Sequence, residues 1–218
     1  MSDDMQKFNT SDYVPVLEGE LRWIFNDAPG KPAMDPTKPN RKQASLYVKS
    51  DSAGCKAFIA ALEEFWNANK AKGQKLKSLG YREEKVLKDG GNEDKDEDYE
   101  ATGLTAFSFW TGANWPDGKD RVVDIYNSKG MKVSLGGKKI GNGSFGAISG
   151  TMAMYHNGTN HGVSLYLNAI QIVKFNEFTQ DAGFDAQEEV EGGFEGVETG
   201  FEGVASEEAV SDGAKPRL

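Results

Sequence analysis

Residues 144–175, SFGAISGTMAMYHNGTNHGVSLYLNAIQIVKF, constrain the fold more than any other stretch. Apolar and polar residues alternate along both halves, and Asn157-Gly158 sits between them. A period of two places successive side chains on opposite faces of a strand, and Asn-Gly supplies the positive φ angles of a tight hairpin turn. The spacing predicts one long β-hairpin. In its first arm Ile148, Met152 and Met154 share one face, and Phe145, Ala147, Ser149, Thr151, Ala153 and Tyr155 share the other. In its second arm Val163, Leu165, Leu167 and Ala169 are expected to point inward. Two histidines, His156 and His161, flank the turn and read as polar residues at a hairpin tip rather than metal ligands.

The remaining chain supplies partners for such a hairpin. In LEGELRWIF, Leu17, Gly19, Leu21, Trp23 and Phe25 alternate to one side, as in a half-buried strand. Four prolines in the next fifteen residues exclude helix and central strand, so 26–42 is expected to be a long loop. QASLYVK, LTAFSFWTG and RVVDIYN read as further strands, and the Pro-Asp-Gly of ANWPDGKD marks a turn between the last two. One helix is expected within residues 50–73. Asp51 or Ser52 can cap it, Gly73 can stop it, and Cys55, Phe58, Ile59, Leu62 and Phe65 or Trp66 form its core-facing stripe. Residues 74–102 are charged and lack a pattern, so they are expected to be loop. This inventory fits a mainly β, OB-fold-like, partly open five-stranded barrel with one inserted helix. A β-sandwich is the alternative.

Composition changes after Phe175. Twelve acids and two bases follow Phe175, leaving 22 acids against 23 bases before it. An acidic run at 89–100 holds seven more acids and one lysine, and without it the body carries 15 acids against 22 bases. A basic body suits a polyanion, and an acidic tail can compete for the same surface. The expected organisation is a folded domain at 1–178 and a disordered tail at 179–218. Phe184, Phe194 and Phe201 recur in the tail within Gly-Phe-Asp or Gly-Phe-Glu units and read as anchors for a partner's groove.

The chemistry of most enzymes is missing from this sequence. It has no HExxH, GxSxG or Walker A motif, and its single cysteine, Cys55, lies on the helix's core stripe. Gly141, Gly143 and Gly146 spell G-x-G-x-x-G within GGKKIGNGSFG. A dinucleotide fingerprint must open a helix, however, and AISGTMAMY alternates as a strand. No enzyme activity, cofactor or metal is therefore expected. No apolar run approaches the ~20 residues of a membrane helix, and the polar start MSDDMQKFNT lacks a signal peptide's apolar stretch, so a cytoplasmic location is expected.

What remains is aromatic and basic. Phe107, Phe109, Trp110, Trp115 and Tyr155 lie on or beside strands, and Arg121, Lys129, Lys132, Lys138 and Lys139 lie in the loops between them. Single-stranded nucleic acid is bound by this combination, bases stacking on rings while cations track the backbone. Phe107 and Phe109 share one face and Trp110 takes the other, so both sets cannot be exposed. A protein-interaction adaptor without a nucleic-acid role is the rival reading.

From about residue 127 onward the chain resembles the single-stranded DNA-binding proteins of tailed bacteriophages. The resemblance rests on NSKGMKV, IGNGSFG, the strand reaching MAMY, GVSLYLNAIQIVKF and the acidic tail. It implies an OB-fold that coats single-stranded DNA in phage replication, recombination and repair. It further implies an acidic tail that contacts the phage DNA polymerase and helicase–primase, and a homodimer. Tyr155 falls on the position of a DNA-stacking tyrosine. Some members carry DNA-binding lysines in the strand matching Phe107 to Trp110, where this chain has Ser108 and Trp110. Some end in phenylalanine, whereas this chain ends KPRL.

Overall fold

The computed structural model describes residues 11–26 and 39–178. Ten strands run in chain order: β1 (Ser11–Tyr13), β2 (Glu18–Phe25), β3 (Arg41–Lys49), β4 (Leu76–Ser78), β5 (Tyr81–Leu87), β6 (Tyr99–Gly112), β7 (Asp124–Tyr126), β8 (Lys132–Val133), β9 (Ser144–Asn157) and β10 (Asn160–Lys174). One α-helix, α1 (Ala53–Asn69), lies between β3 and β4, and a 3₁₀ turn covers Asp96–Asp98.

Five of these strands form a ring. β2 pairs antiparallel with β9 and β3, and β3 pairs antiparallel with β6. β6 meets β10 in parallel, and β10 returns antiparallel to β9 along the predicted hairpin. In chain order the last two members exchange places around the ring, which is the OB-fold arrangement. The ring is only partly closed. β6 and β10 pair through just Leu165 opposite Phe109 and Tyr166 opposite Trp110. Beyond that seam β5 takes the edge of β6, while β4 adds to β10 at His161 and Gly162.

The core fills the ring and the face beneath α1. Leu21, Leu46, Phe107, Phe109, Ile148, Leu165 and Ile170 are fully buried, and the helix adds Cys55, Phe58, Leu62, Phe65 and Trp66. Phe58 meets Phe107 edge-on at 4.6 Å between ring centroids, joining helix to sheet. Ser52 caps the helix by accepting from the Cys55 N–H at 3.2 Å, an interaction of about 1 kcal/mol. The helix stops at Asn69, before Gly73, where the Asn69 side chain donates back to the Phe65 carbonyl.

Three expectations are corrected. Residues 74–102 are not simply loop, because they hold β4, β5, the 3₁₀ turn and the start of β6. β5 lies at an edge: Tyr81 packs against the core, 5.8 Å from the Phe107 ring, but backbone pairing to β6 holds the rest of the strand and no apolar alternation marks it. Likewise β3 begins at Arg41, inside the expected 26–42 loop. In β10 the register shifts between Leu167 and Ala169, leaving Asn168 exposed. Ile170 and Ile172 then point inward in place of Ala169. Among the described residues no helix is long and apolar enough to cross a membrane.

Candidate nucleic-acid interface

The outer face of β3 and β6 follows from their parity. Phe107 and Phe109 turn inward and are 0% exposed. They belong to the core and cannot stack on bases, which corrects the expectation for both. Their neighbours Ser108 and Trp110 face outward, opposite Ser45 and Gln43 of β3. Trp110 is half-buried. The Tyr166 ring lies 5.0 Å from its centroid at 45°, and the Arg41 guanidinium lies 5.5 Å from it. A ring held between a second ring and a cation has little rotamer freedom left to lose when a base arrives.

Tyr155 joins this cluster from the hairpin. Its cross-strand partner is Gly162. A Cβ at Gly162 would sit 2.7 Å from the tyrosine ring and 2.0 Å from the Ser78 carbonyl oxygen. Glycine there lets β4 close onto β10 and lets the tyrosine lie across the bare backbone. Burial pushes the Tyr155 hydroxyl above the usual tyrosine range. Trp110 and Tyr155 line one groove of about 330 Å³ with Ser108, Arg82 and Ser164, alongside the seam between β6 and β10.

A second platform stands beyond the end of β6. Trp115 is 51% exposed, and the Arg121 guanidinium covers its ring at 3.9 Å. Arg121 also donates to the buried Thr111 hydroxyl, while its Nε is buried without a hydrogen-bond partner. The loop is closed by the Trp115 N–H donating to the Lys119 carbonyl at 2.8 Å. These residues do not share the groove of Trp110 and Tyr155.

The lysines form a third region. Lys132, Lys138 and Lys139 line a groove of about 410 Å³ with Asn26 and Asp124. Lys132 pairs with Asp124 at 2.7 Å, and this hydrogen bond holds its pKa above the ordinary lysine value. Lys138 pairs with Glu177 at 2.7 Å. Both pairs are exposed, so a phosphate can exchange for the carboxylate at little cost. Lys129 stands apart on the exposed turn organised by the Asn127 side chain.

The GGKKIGNGSFG stretch supplies two of these lysines and enters β9 at Ser144. At Gly146 a Cβ would lie 1.9 Å from the Gln171 carbonyl oxygen, so this glycine serves strand approach. His156 and His161 stack as a cross-strand pair with their Nδ1 atoms 2.7 Å apart. Among the described residues no cluster of three or more metal-ligating side chains occurs. Phe184, Phe194 and Phe201 lie outside the described residues.

Sequence reasoning missed Arg41 and Tyr166. Arg41 falls within the stretch expected to be the proline-rich loop. Tyr166 is legible as the outward residue between inward Leu165 and Leu167.

No protein-family model matches the chain, and no curated protein matches its sequence. Solved structures do match, among them phage single-stranded DNA-binding proteins. The single-stranded DNA-binding protein gp2.5 encoded by bacteriophage T7 is 18% identical, covers 86% of this chain and 99% of its own, and superposes with a TM-score of 0.49. The C-terminally truncated single-stranded DNA-binding protein of bacteriophage Enc34 is 11% identical over 74% of this chain and 87% of its own, with a TM-score of 0.50. The Enc34 protein in complex with single-stranded DNA is 13% identical over 74% of this chain and 88% of its own, with a TM-score of 0.48. At these identities the likeness is one of fold, and it agrees with the OB-type ring described above.

Proposed function

We propose that this chain is a sequence-nonspecific single-stranded DNA-binding protein that works without cofactor or catalysis. The observation that carries the reading is the Trp110, Tyr166 and Arg41 cluster beside Tyr155, on the outer face that OB-folds use for oligonucleotides. Bases stack there irrespective of identity, because every base has a π-face. Trp115 with Arg121 extends the stacking surface, and Lys132, Lys138 and Lys139 take phosphates, with Lys129 on a neighbouring turn. The fold shared with the Enc34 protein, itself named as a single-stranded DNA-binding protein, supports the same reading.

In the fuller form of this proposal the protein coats single-stranded DNA during phage replication, recombination and repair, inside the host cytoplasm. Its acidic tail, through Phe184, Phe194 and Phe201, recruits the phage DNA polymerase and helicase–primase, and the protein works as a homodimer. The tail also competes with DNA for the basic surface.

Titration with oligo(dT) at two salt concentrations, on the full chain and on a chain ending at Phe178, tests both levels. Binding should weaken as salt rises, because lysines release counterions, and the shortened chain should bind more tightly. Absence of binding by the shortened chain at low salt would overturn the DNA reading in favour of a protein adaptor. Equal affinity of the two chains would remove the competing tail.

A further inference from the structure

Trp23 occupies a position that its own side chain makes unfavourable. In β2, Arg22 lies opposite Ser45 and Phe25 opposite Gln43, so Trp23 and Ile24 together oppose the single residue Ala44. This is a β-bulge, and its first residue, Trp23, has φ of 55°. Among the described residues it is the sole non-glycine with positive φ. Glycine or asparagine adopts that conformation readily, whereas an indole-bearing residue there is strained. The bulge also breaks the alternation that would have buried Trp23 beside Leu21. Its side chain is 53% exposed, and among the described residues no ring or cation packs against it. The bulge is held from the side by Asn142, whose Oδ1 accepts the Trp23 N–H at 2.9 Å.

Its place in the fold connects the two regions described above. Asn142 belongs to the lysine-bearing GGKKIGNGSFG stretch, and Asn26, three residues after Trp23, lines the lysine groove. Across the sheet, β3 alone separates β2 from β6, which places Trp110 about 10 Å away at ordinary strand spacing.

We propose that Trp23 is a base-stacking residue that carries a single strand from the Trp110 platform to the lysine groove. The inference rests on the DNA-binding reading. Strained backbone retained under an exposed aromatic ring is the pattern of a side chain kept for a ligand. The ligand here is a base, because the neighbouring groups are a stacking platform on one side and phosphate-binding cations on the other.

Trp23→Asn, Trp23→Gly and Trp23→Phe separate this role from a structural one. Trp23→Asn and Trp23→Gly relieve the backbone, so each should melt at or above the wild-type temperature. Each should nonetheless bind oligo(dT) about five- to tenfold more weakly, with an unchanged salt slope, since no charge is lost. Trp23→Phe should stay within about twofold of wild type. Wild-type affinity in the asparagine and glycine variants overturns the inference. So does affinity that falls only in step with melting temperature, which would make Trp23 a packing residue. A changed sedimentation coefficient with unchanged DNA affinity also overturns it and assigns the ring to a protein contact. Failure of the wild type itself to bind would instead be failure of the DNA reading.

Discussion

The aromatic face of β3, β6 and β10 and the lysine groove beside β7 and β8 are built on opposite plans. On the first, each group is fixed by another: Tyr166 and Arg41 hold Trp110, and Gly162 seats Tyr155. In the second, Lys132 and Lys138 sit in exposed ion pairs that water and salt can exchange. One region offers preset stacking geometry, with Arg41 and Arg82 as its cations. The other offers charge without preset geometry. Affinity drawn from ring stacking in the first resists salt, and affinity drawn from the lysines of the second does not.

Trp110→Ala is the strongest test of that division. It removes the central ring, and affinity for oligo(dT) should fall by about one to two orders of magnitude, given the 1–3 kcal/mol typical of base–aromatic stacking. The slope of affinity against salt, measured in the same titrations, should not move. A flattened slope would show that the two regions act as one. Joint replacement of Lys138 and Lys139 by alanine should do the reverse. Affinity should fall only a few-fold at moderate salt, but the logarithmic salt slope should shrink by about 1.4, from roughly 0.7 per lost phosphate contact on a single strand. An unchanged slope would make the loop purely structural.

The smallest effect is expected at Tyr155. If its ring stacks and its hydroxyl is a bystander, Tyr155→Phe should change affinity by less than about twofold. It should also alter the alkaline limb of stability. Burial raises the folded-state pKa of this hydroxyl above the ordinary 10.0, so the unfolded chain loses the proton first. Stability tied to the neutral phenol is therefore present below pH 10 and lost as pH rises through the raised value. Thermal melts of the phenylalanine variant should lose part of that decline above pH 10 and match wild type at neutral pH.

How much of the molecule is legible in its sequence depends on whether burial and alternation coincide. In the hairpin they do for most of its length, so β9, β10 and Tyr155 are legible. The shift at Asn168 defeats the pattern, because a bulge reverses parity without changing composition. In β6 they do not coincide. Thr105, Ala106 and Phe107 are all buried, since Tyr47 and the Arg22 side chain, which reaches Glu84, cover the outer face there. Beyond them burial alternates again from Phe107 to Thr111, but Phe109 and Trp110 are adjacent aromatics, so composition does not reveal which of the two faces inward. β5 leaves little trace because only Tyr81 reaches the core and backbone pairing holds the rest of the strand. Alternation puts Trp23 on the inward face with Leu21, and only its positive φ removes it.

The two-residue seam between β6 and β10 has a consequence for how the molecule responds to a ligand. A ring closed by so short a contact is weakest there, and the seam is flanked by Trp110 on one strand and Tyr166 on the other. A polymer laid across both rings acts as a suture, since opening the seam would tear it from one side. Occupancy therefore raises the melting temperature by mass action, and the protein stiffens most where it was least joined.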